Sequence, residues 1–409
     1  MRILFFSDQF WPETNAPAIH VYERAKIWVR QGHVVTVMTC APNFPEGRVY
    51  EGYRNTWRQV EIIEGIRVVR VKTYISANKG VLRRMLDYST YTLSAFFFSL
   101  LEVRPNVAIS TSPQLLVPLA GVLYGMLRRV PHVFELRDLW PASIAAVGAA
   151  RVGLLLRLLE HLELWLYRRS CRVVAFTESF RQNLVRRGIS PAHVEVTPNG
   201  TDLERFFPRK KDEVLATELG LTNRFVVGYI GTLGMAHGLG SVLEAARMVT
   251  DLPLTFLFAG PGAEKEALEQ QATAMGLNNV VFLPRQPRER MPALWSVCDL
   301  ALVQVKDTEA FRAVIPSKIY EALGMGLPIC FAGPEGEASQ LVRALKVGLV
   351  VPGDDAVALA AAVKVILEDE ALVRSFRSAA VQARDQFSRE AQALRTLAVF
   401  QQVLQDRCT

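Results

Sequence analysis

The chain has 409 residues, half of them hydrophobic, and 47 Lys/Arg against 40 Asp/Glu give a formal net charge of +7. That length has room for two or three domains with sizeable cores. Five scattered cysteines without a C-x-x-C pair argue against a disulfide framework or a zinc site and point to a reducing cytosol. The start, Met1-Arg-Ile-Leu-Phe-Phe-Ser-Asp8, enters an apolar strand and meets acid early, unlike a signal peptide. The longest apolar run, residues 91–101, is too short to span a membrane. Charge is uneven: residues 1–200 hold 25 Lys/Arg and 15 Asp/Glu (net +10), and residues 201–409 hold 22 and 25 (net −3). Opposite signs suggest two domains with different partners, the first meeting anionic lipid or a phosphorylated ligand. Nucleic acid is disfavoured, since no helix-turn-helix, zinc-finger or RNA-binding signature is present.

Short apolar strands are predicted at residues 2–6, 34–39, 68–71, 107–110, 132–134 and 173–176. Amphipathic helices fall between them at 20–31, 88–101, 118–128 and 153–169. The rhythm restarts near residue 225, with strands at 225–229, 254–259, 280–283, 300–305, 328–331 and 348–351. Helices at 240–249, 264–275, 290–297, 317–323 and 340–345 separate those. Strand–helix alternation predicts parallel sheets covered on both faces, here two doubly wound α/β domains. We expect an N-terminal domain over residues 1–198, a linker over 199–214 and a second domain over 215–385. The linker signal is the Pro-, Gly- and Asn-rich segment opening at Thr197-Pro-Asn-Gly200. The tail, residues 386–409, is expected to cross back to the first domain.

Ligands of open parallel sheets bind beyond the carboxyl ends of the strands. In the first domain those ends are residues 7–15, 110–113, 135–141 and 177–178. There, Arg137 and Asp138 follow a buried strand, where charge is costly unless it serves a cleft or is paired. Both readings stay open, as they do for His20 near the start of the first helix. In the second domain, Gly231-Thr-Leu-Gly-Met-Ala-His-Gly238 is a candidate phosphate loop that includes Thr232 and His237. His237 reads equally as a ligand contact and as a structural histidine at a helix start. Arg285 and Arg312 stand in two further strand-end segments.

The segment Val314-Ile-Pro-Ser-Lys-Ile-Tyr-Glu-Ala-Leu-Gly-Met-Gly-Leu-Pro-Ile329 carries the most chemistry. Pro316 suits a first helical turn, Ser317 offers a capping hydroxyl, and Gly324 and Gly326 are expected to end the helix. Free amides at a helix start form an anion site, to which Lys318 adds a full charge. Glu321, one turn on, is placed to accept hydrogen bonds from two vicinal hydroxyls. Together these fit the pyrophosphate and ribose of a nucleotide; the plainer alternative is a Ser-capped helix with a surface Lys–Glu pair.

Taken together, Pro198-Asn-Gly-Thr-Asp202, Gly228-Tyr-Ile-Gly-Thr-Leu233, Phe258-Ala-Gly-Pro-Gly262 and Glu321-Ala-Leu-Gly-Met-Gly-Leu-Pro328 resemble the family 4 retaining glycosyltransferases of the two-lobed GT-B fold. Gln9-Phe-Trp-Pro-Glu13, Pro42-Asn-Phe-Pro-Glu-Gly47, Arg137-Asp-Leu-Trp-Pro141 and Pro316-Ser-Lys318 look like the subgroup that builds O-antigen and capsule repeats, including acetamido-fucose transferases. The resemblance implies two sheets facing a cleft, with the acceptor on the first domain and the nucleotide sugar on the second. It implies that Glu321, the second glutamate of an E-x7-E motif, holds the ribose; Ala313 stands at the first position. The family's phosphate-binding Arg and Lys after the first strand of the second lobe are replaced here by Thr232 and His237, which leaves more of that work to Lys318. Asn15-Ala-Pro17 replaces a glycine pair and makes Asn15 a further donor-site candidate.

The expected reaction moves a sugar from a nucleoside diphosphate, UDP foremost, to a lipid-linked saccharide with retained configuration, in bacterial surface polysaccharide synthesis. Lys318, Ser317 and the Gly231–Gly238 loop would meet charge growing on the leaving diphosphate. His237 and Asp138 complete the catalytic candidates, and His20, Arg137 and Asp138 the acceptor side. No cofactor and no metal are expected, because no Asp-x-Asp stands at a suitable strand end. The basic first domain is expected to dock on the inner face of the cytoplasmic membrane. Its candidate anchors are Lys79–Arg84 with the aromatics Tyr88, Tyr91, Phe96, Phe97 and Phe98, and Arg151–Arg157 with Trp165 and Tyr167. The alternatives are a nucleotide-sugar epimerase of the same fold, a pyridoxal-phosphate phosphorylase and a non-catalytic binding module.

Overall fold

The computed structural model describes residues 1–76, 81–112, 114–139 and 154–406. Lys79, Gly80, residues 140–143 and Arg151 to Gly153, named above, lie outside them. The chain forms two compact units, Met1–Pro198 with Gln392–Thr409, and Asn199–Ala391.

In the first unit the chain runs β1 (Arg2–Phe6), α1 (Ala16–Arg30), β2 (Val34–Cys40), β3 (Arg58–Ile63), β4 (Ile66–Val71), α2 (Val81–Ser99), β5 (Val107–Thr111), α3 (Leu116–Arg128), β6 (His132–Leu136), α4 (Leu154–Arg169), β7 (Arg172–Ala175), α5 (Glu178–Arg186) and β8 (Val194–Val196). The sheet order is β3-β4-β2-β1-β5-β6-β7-β8, with β3 antiparallel to β4 and the other neighbours parallel. Alternation along β1 sends Ile3 and Phe5 to one apolar layer and Leu4 and Phe6 to the other, as a sheet covered on both faces requires. The edge strand β3 and the three-residue β8 were not expected. β3 is only half-buried and reads as polar, so an apolar-run criterion passes over it.

The second unit holds α6 (Glu213–Glu218), β9 (Phe225–Ile230), α7 (Gly240–Met248), β10 (Leu254–Ala259), α8 (Lys265–Ala274), β11 (Val280–Leu283), α9 (Met291–Ser296), β12 (Leu300–Gln304), α10 (Glu309–Arg312), α11 (Ser317–Met325), β13 (Ile329–Ala332), α12 (Glu337–Leu345), β14 (Gly348–Val351), α13 (Ala356–Glu368) and α14 (Glu370–Ala383). Its all-parallel sheet has the order β11-β10-β9-β12-β13-β14, reversing direction at β9. The crevice at such a reversal is where this architecture takes ligands.

The expected linker is part of the second unit. Thr201 forms a bridge with Ser388, its N–H donates to Phe387 O at 2.9 Å, and Phe206 enters the core. Gly200 makes this approach possible, since a Cβ there would lie 2.5 Å from Phe387 O. Residues 386–391 likewise stay with the second unit. The last helix, α15 (Arg389–Gln405), contributes to the first unit from Gln392 on. There Trp28 Nε1 donates to Ala393 O at 3.0 Å, and the Trp28 and Phe400 rings pack edge to face at 5.3 Å.

Candidate functional site

In the second unit the chemistry gathers beyond β9 and β12. β9 is followed by Gly231, whose φ of +147° belongs to glycine. The space a side chain would fill there is taken by Lys318, whose Nζ lies 2.8 Å from an ideal Cβ. Lys318 Nζ sits 4.5 Å above the Tyr229 ring and donates to the Tyr229 hydroxyl at 3.2 Å. Burial lowers the Lys318 pKa to about 8, against the opposing pull of Glu321. An anion arriving at this ammonium restores its full charge.

Two details of α11 differ from expectation. Its N-cap is Pro316, no side chain caps it, and Ser317 is an exposed first-turn residue that does not cap the helix. Gly324 lies inside the helix, where a Cβ would meet Phe206 O at 2.9 Å; Gly326 alone, at φ +69°, terminates it. Glu321 is partly buried and its Oε2 accepts from Trp295 Nε1 at 3.0 Å. Burial raises its pKa, and the Trp295 bond and Lys318 oppose that. The other carboxylate oxygen remains available for hydroxyls.

His237 Nδ1 donates to Gln304 O at 3.1 Å, which fixes the tautomer. Burial, with Lys318 second, lowers its pKa to about 4, so at neutral pH the ring is uncharged and Nε2 carries a lone pair. An uncharged His237 offers Nε2 as an acceptor, which suits a hydroxyl. Gln304, buried, holds the same loop through Nε2 to Gly238 O and Ser241 Oγ, both at 2.7 Å. Thr232 is exposed in this loop. Arg285 is exposed after β11, and Arg312 is exposed and paired with Glu309 at 3.1 Å.

In the first unit, Asn15 is the N-cap of α1, its side-chain oxygen accepting from Ala18 N at 3.0 Å. His20 on α1 is buried and its Nδ1 accepts from the Arg137 guanidinium. Arg137 also lies 4.0 Å from Glu135 and 5.4 Å over the Phe176 ring. Asp138, one position further on, is partly buried. Beneath them Glu135 pairs with Arg24, both fully buried, and accepts from Thr111 Oγ1 at 2.9 Å. Burial alone would raise Glu135, but Arg24 and Arg137 hold it below the ordinary carboxylate range.

Sequence reasoning singled out Lys318, Glu321 and His237, and the structure brings all three beyond β9 and β12. It assigned no role to Tyr229, Trp295 and Gln304, which support them. Each stands within or beside an apolar run and reads as core, so no local signal marked it. Arg24 was passed over because an arginine beside Glu23 and Lys26 on an amphipathic helix reads as solvent-facing.

Residues 15–200 match the glycosyl transferase 4-like domain family, and residues 212–383 match the glycosyl transferases group 1 family. WcaI of Escherichia coli (strain K12), named for glycosyl transfer in colanic acid biosynthesis, is 28% identical over 334 residues, 80% of this chain and 82% of that protein. The D-inositol 3-phosphate glycosyltransferase of Rhodococcus opacus (strain B4) is 30% identical over 54% of this chain and 51% of its own length. Sucrose-phosphate synthase from Thermosynechococcus elongatus shares the fold at a TM-score of 0.76 and 18% identity, over 99% of this chain and 100% of that one. Anabaena HepE in complex with UDP and glucose does so at 0.72 and 20%, over 98% of each. The chain belongs to the GT-B glycosyltransferases that join a glycosyl transferase 4-like domain to a group 1 domain, and it is a glycosyl-transferring enzyme.

Proposed function

We propose that the protein transfers a sugar, with N-acetylated amino sugars among the candidates, from UDP to a lipid-linked saccharide, with retention of configuration, in the synthesis of a bacterial surface polysaccharide. The observation that carries the donor half is the seat of Lys318: a cation lodged over a glycine at the end of the central strand, beside an uncapped helix start. Glu321 follows one turn later with a free carboxylate oxygen. This is a diphosphate site and a ribose site at the right interval. HepE, solved with UDP and with UDP-glucose, supports UDP as the carrier, and the name of WcaI supports a polysaccharide product.

Lys318 and the α11 amides meet the charge that grows on the departing diphosphate, and stabilisation specific to that charge accelerates the bond cleavage. His237 Nε2 accepts from a hydroxyl of the donor sugar and fixes its orientation. No step here calls for a metal. Asp138, with His20 and Arg137, stands on the acceptor side.

A membrane surface supplies the acceptor. Along α2, Leu86, Leu93, Phe97 and Leu101 just beyond it are exposed at 47% to 69%, and Met126 and Leu127 of α3 are exposed as well. Arg83, Arg104 and Arg129 are exposed near them, a composition suited to an anionic interface. Tyr91 and Tyr167, first read as part of such faces, are core residues instead. No helix among the described residues is long and apolar enough to cross a membrane.

The test is incubation of purified protein and inner-membrane lipid extract with a panel of UDP-sugars, with and without EDTA. Transfer to lipid from one UDP-sugar, with the anomeric configuration kept by NMR, is expected in both. Transfer from another nucleotide only, or inversion, or loss in EDTA restored by magnesium, overturns the corresponding part.

A further inference from the structure

The first unit holds a second group of ionisable side chains that sugar transfer from UDP leaves unused. Its strand order reverses at β1, between β2 and β5, and a parallel sheet opens a crevice beyond such strands. A solvent-open cleft of about 90 Å³ lies there, lined by Asp8, Glu13, Cys40, Arg84, Asp87 and Tyr88 among others. Two sequence stretches without a role so far, residues 9–13 and 42–47, meet at its wall.

Glu13 is 1% exposed. Its Oε1 accepts from the backbone N–H groups of Asn43 at 2.7 Å and Phe44 at 2.9 Å. Its Oε2 is buried and has no hydrogen-bond partner among the described residues, a costly condition for a carboxylate unless a ligand relieves it. Asp87 Oδ1 accepts from Thr73 Oγ1 at 2.8 Å. The Cys40 thiol donates to Asp8 O at 3.0 Å.

The lining cation is Arg84, whose guanidinium donates to the Tyr88 hydroxyl at 3.1 and 2.9 Å. Arg70, nearby, is occupied by Glu61, Cys40 O and Trp11 O. Among the described residues, three carboxyl groups therefore face one lining cation. Burial first, then Glu13 and Asp87, pushes Asp8 up to about 8. Burial also raises Asp87 to about 6.

We infer that this cleft is a subsite for a protonated amine, carried as an unacetylated amino group on the saccharide acceptor. An ammonium brings three N–H donors and a full positive charge. It supplies the donor Glu13 Oε2 lacks and balances carboxylates that Arg84 leaves uncompensated. A neutral hydroxyl supplies the donor without the charge, and a phosphate would be repelled. Among the described residues no three His, Cys, Asp or Glu side chains converge to hold a metal ion, which leaves a larger cation as the occupant. The amine site stands on the cleft itself; its assignment to the acceptor rests on the proposed function.

Calorimetry on the full chain at neutral pH tests it, with the methyl glycosides of glucosamine, N-acetylglucosamine and glucose as probes and UDP titrated separately. The glucosaminide is expected to bind roughly tenfold or more tighter than the other two, the scale of one hydrogen bond to a charged group. Glu13→Gln and Asp87→Asn, the second at a partly exposed position, are each expected to remove most of that preference and leave UDP affinity unchanged. Equal binding of the three glycosides, binding of none, or full preference in both variants overturns the inference. Amine binding without UDP binding would leave the subsite standing and sink the proposed transfer reaction instead.

Discussion

Replacing Gly231 by alanine tests the donor site most directly. The new Cβ meets the end of the Lys318 side chain, with Nζ at 2.8 Å and Cε closer still. Because that end is flexible, Lys318 swings away and the strand stays in place. The φ of +147° adds backbone strain of about 1–3 kcal/mol for a residue with a Cβ. At about 2–4 °C per kcal/mol for a unit of this size, the melting temperature should fall by roughly 2–12 °C. Displacing Lys318 removes a charge-assisted contact to the diphosphate of about 1.5–3 kcal/mol, so kcat/KM should drop by roughly 10- to 150-fold. The assay is initial-rate transfer from UDP-sugar at a temperature well below melting, alongside Lys318→Ala and the double variant. If the loss runs through Lys318, the double variant should be about as slow as Lys318→Ala alone. Additive losses, or near-normal activity in folded Gly231→Ala, would refute the argument.

Three further outcomes are expected. Glu321→Ala should weaken UDP binding by roughly tenfold or more, read by calorimetry; unchanged affinity in a folded variant removes Glu321 from the ribose. UDP affinity should decline as pH rises through about 8, because Lys318 is lowered to that range and its neutral form attracts no anion; Lys318→Arg should flatten the profile, and an unaltered profile in that variant assigns the titration elsewhere. In flotation, the protein should bind anionic liposomes, release with salt, and lose binding in Leu93→Ser/Phe97→Ser; equal recovery on neutral vesicles would leave a soluble acceptor as the better reading.

The apolar runs of β1, β2, β10 and β11 and the helical patterns between them were enough to place two doubly wound sheets, because burial on both faces writes a continuous signature into the chain. Lys318, Glu321 and His237 were legible for a related reason: His237 stands in the glycine-rich loop after β9, and Lys318 and Glu321 stand on the short helix between β12 and β13, where polar residues among apolar ones are conspicuous. The polar edge strand β3, paired only through Ile66–Val71, has no such signature. Neither does the joining of residues 199–206 to 387–388, which depends on backbone partners almost two hundred positions apart.

What the sequence by itself determined is the order of elements and the identity of the groups at their ends, since both follow from local periodicity and local chemistry. Only the tertiary structure decided what those groups are. It placed Lys318 over Tyr229, gave His237 its tautomer through Gln304, spent one oxygen of Glu321 on Trp295, and set Asp8, Glu13 and Asp87 around one cleft. Each of these depends on a partner distant in the chain, and desolvation and hydrogen-bond geometry are properties of that three-dimensional neighbourhood.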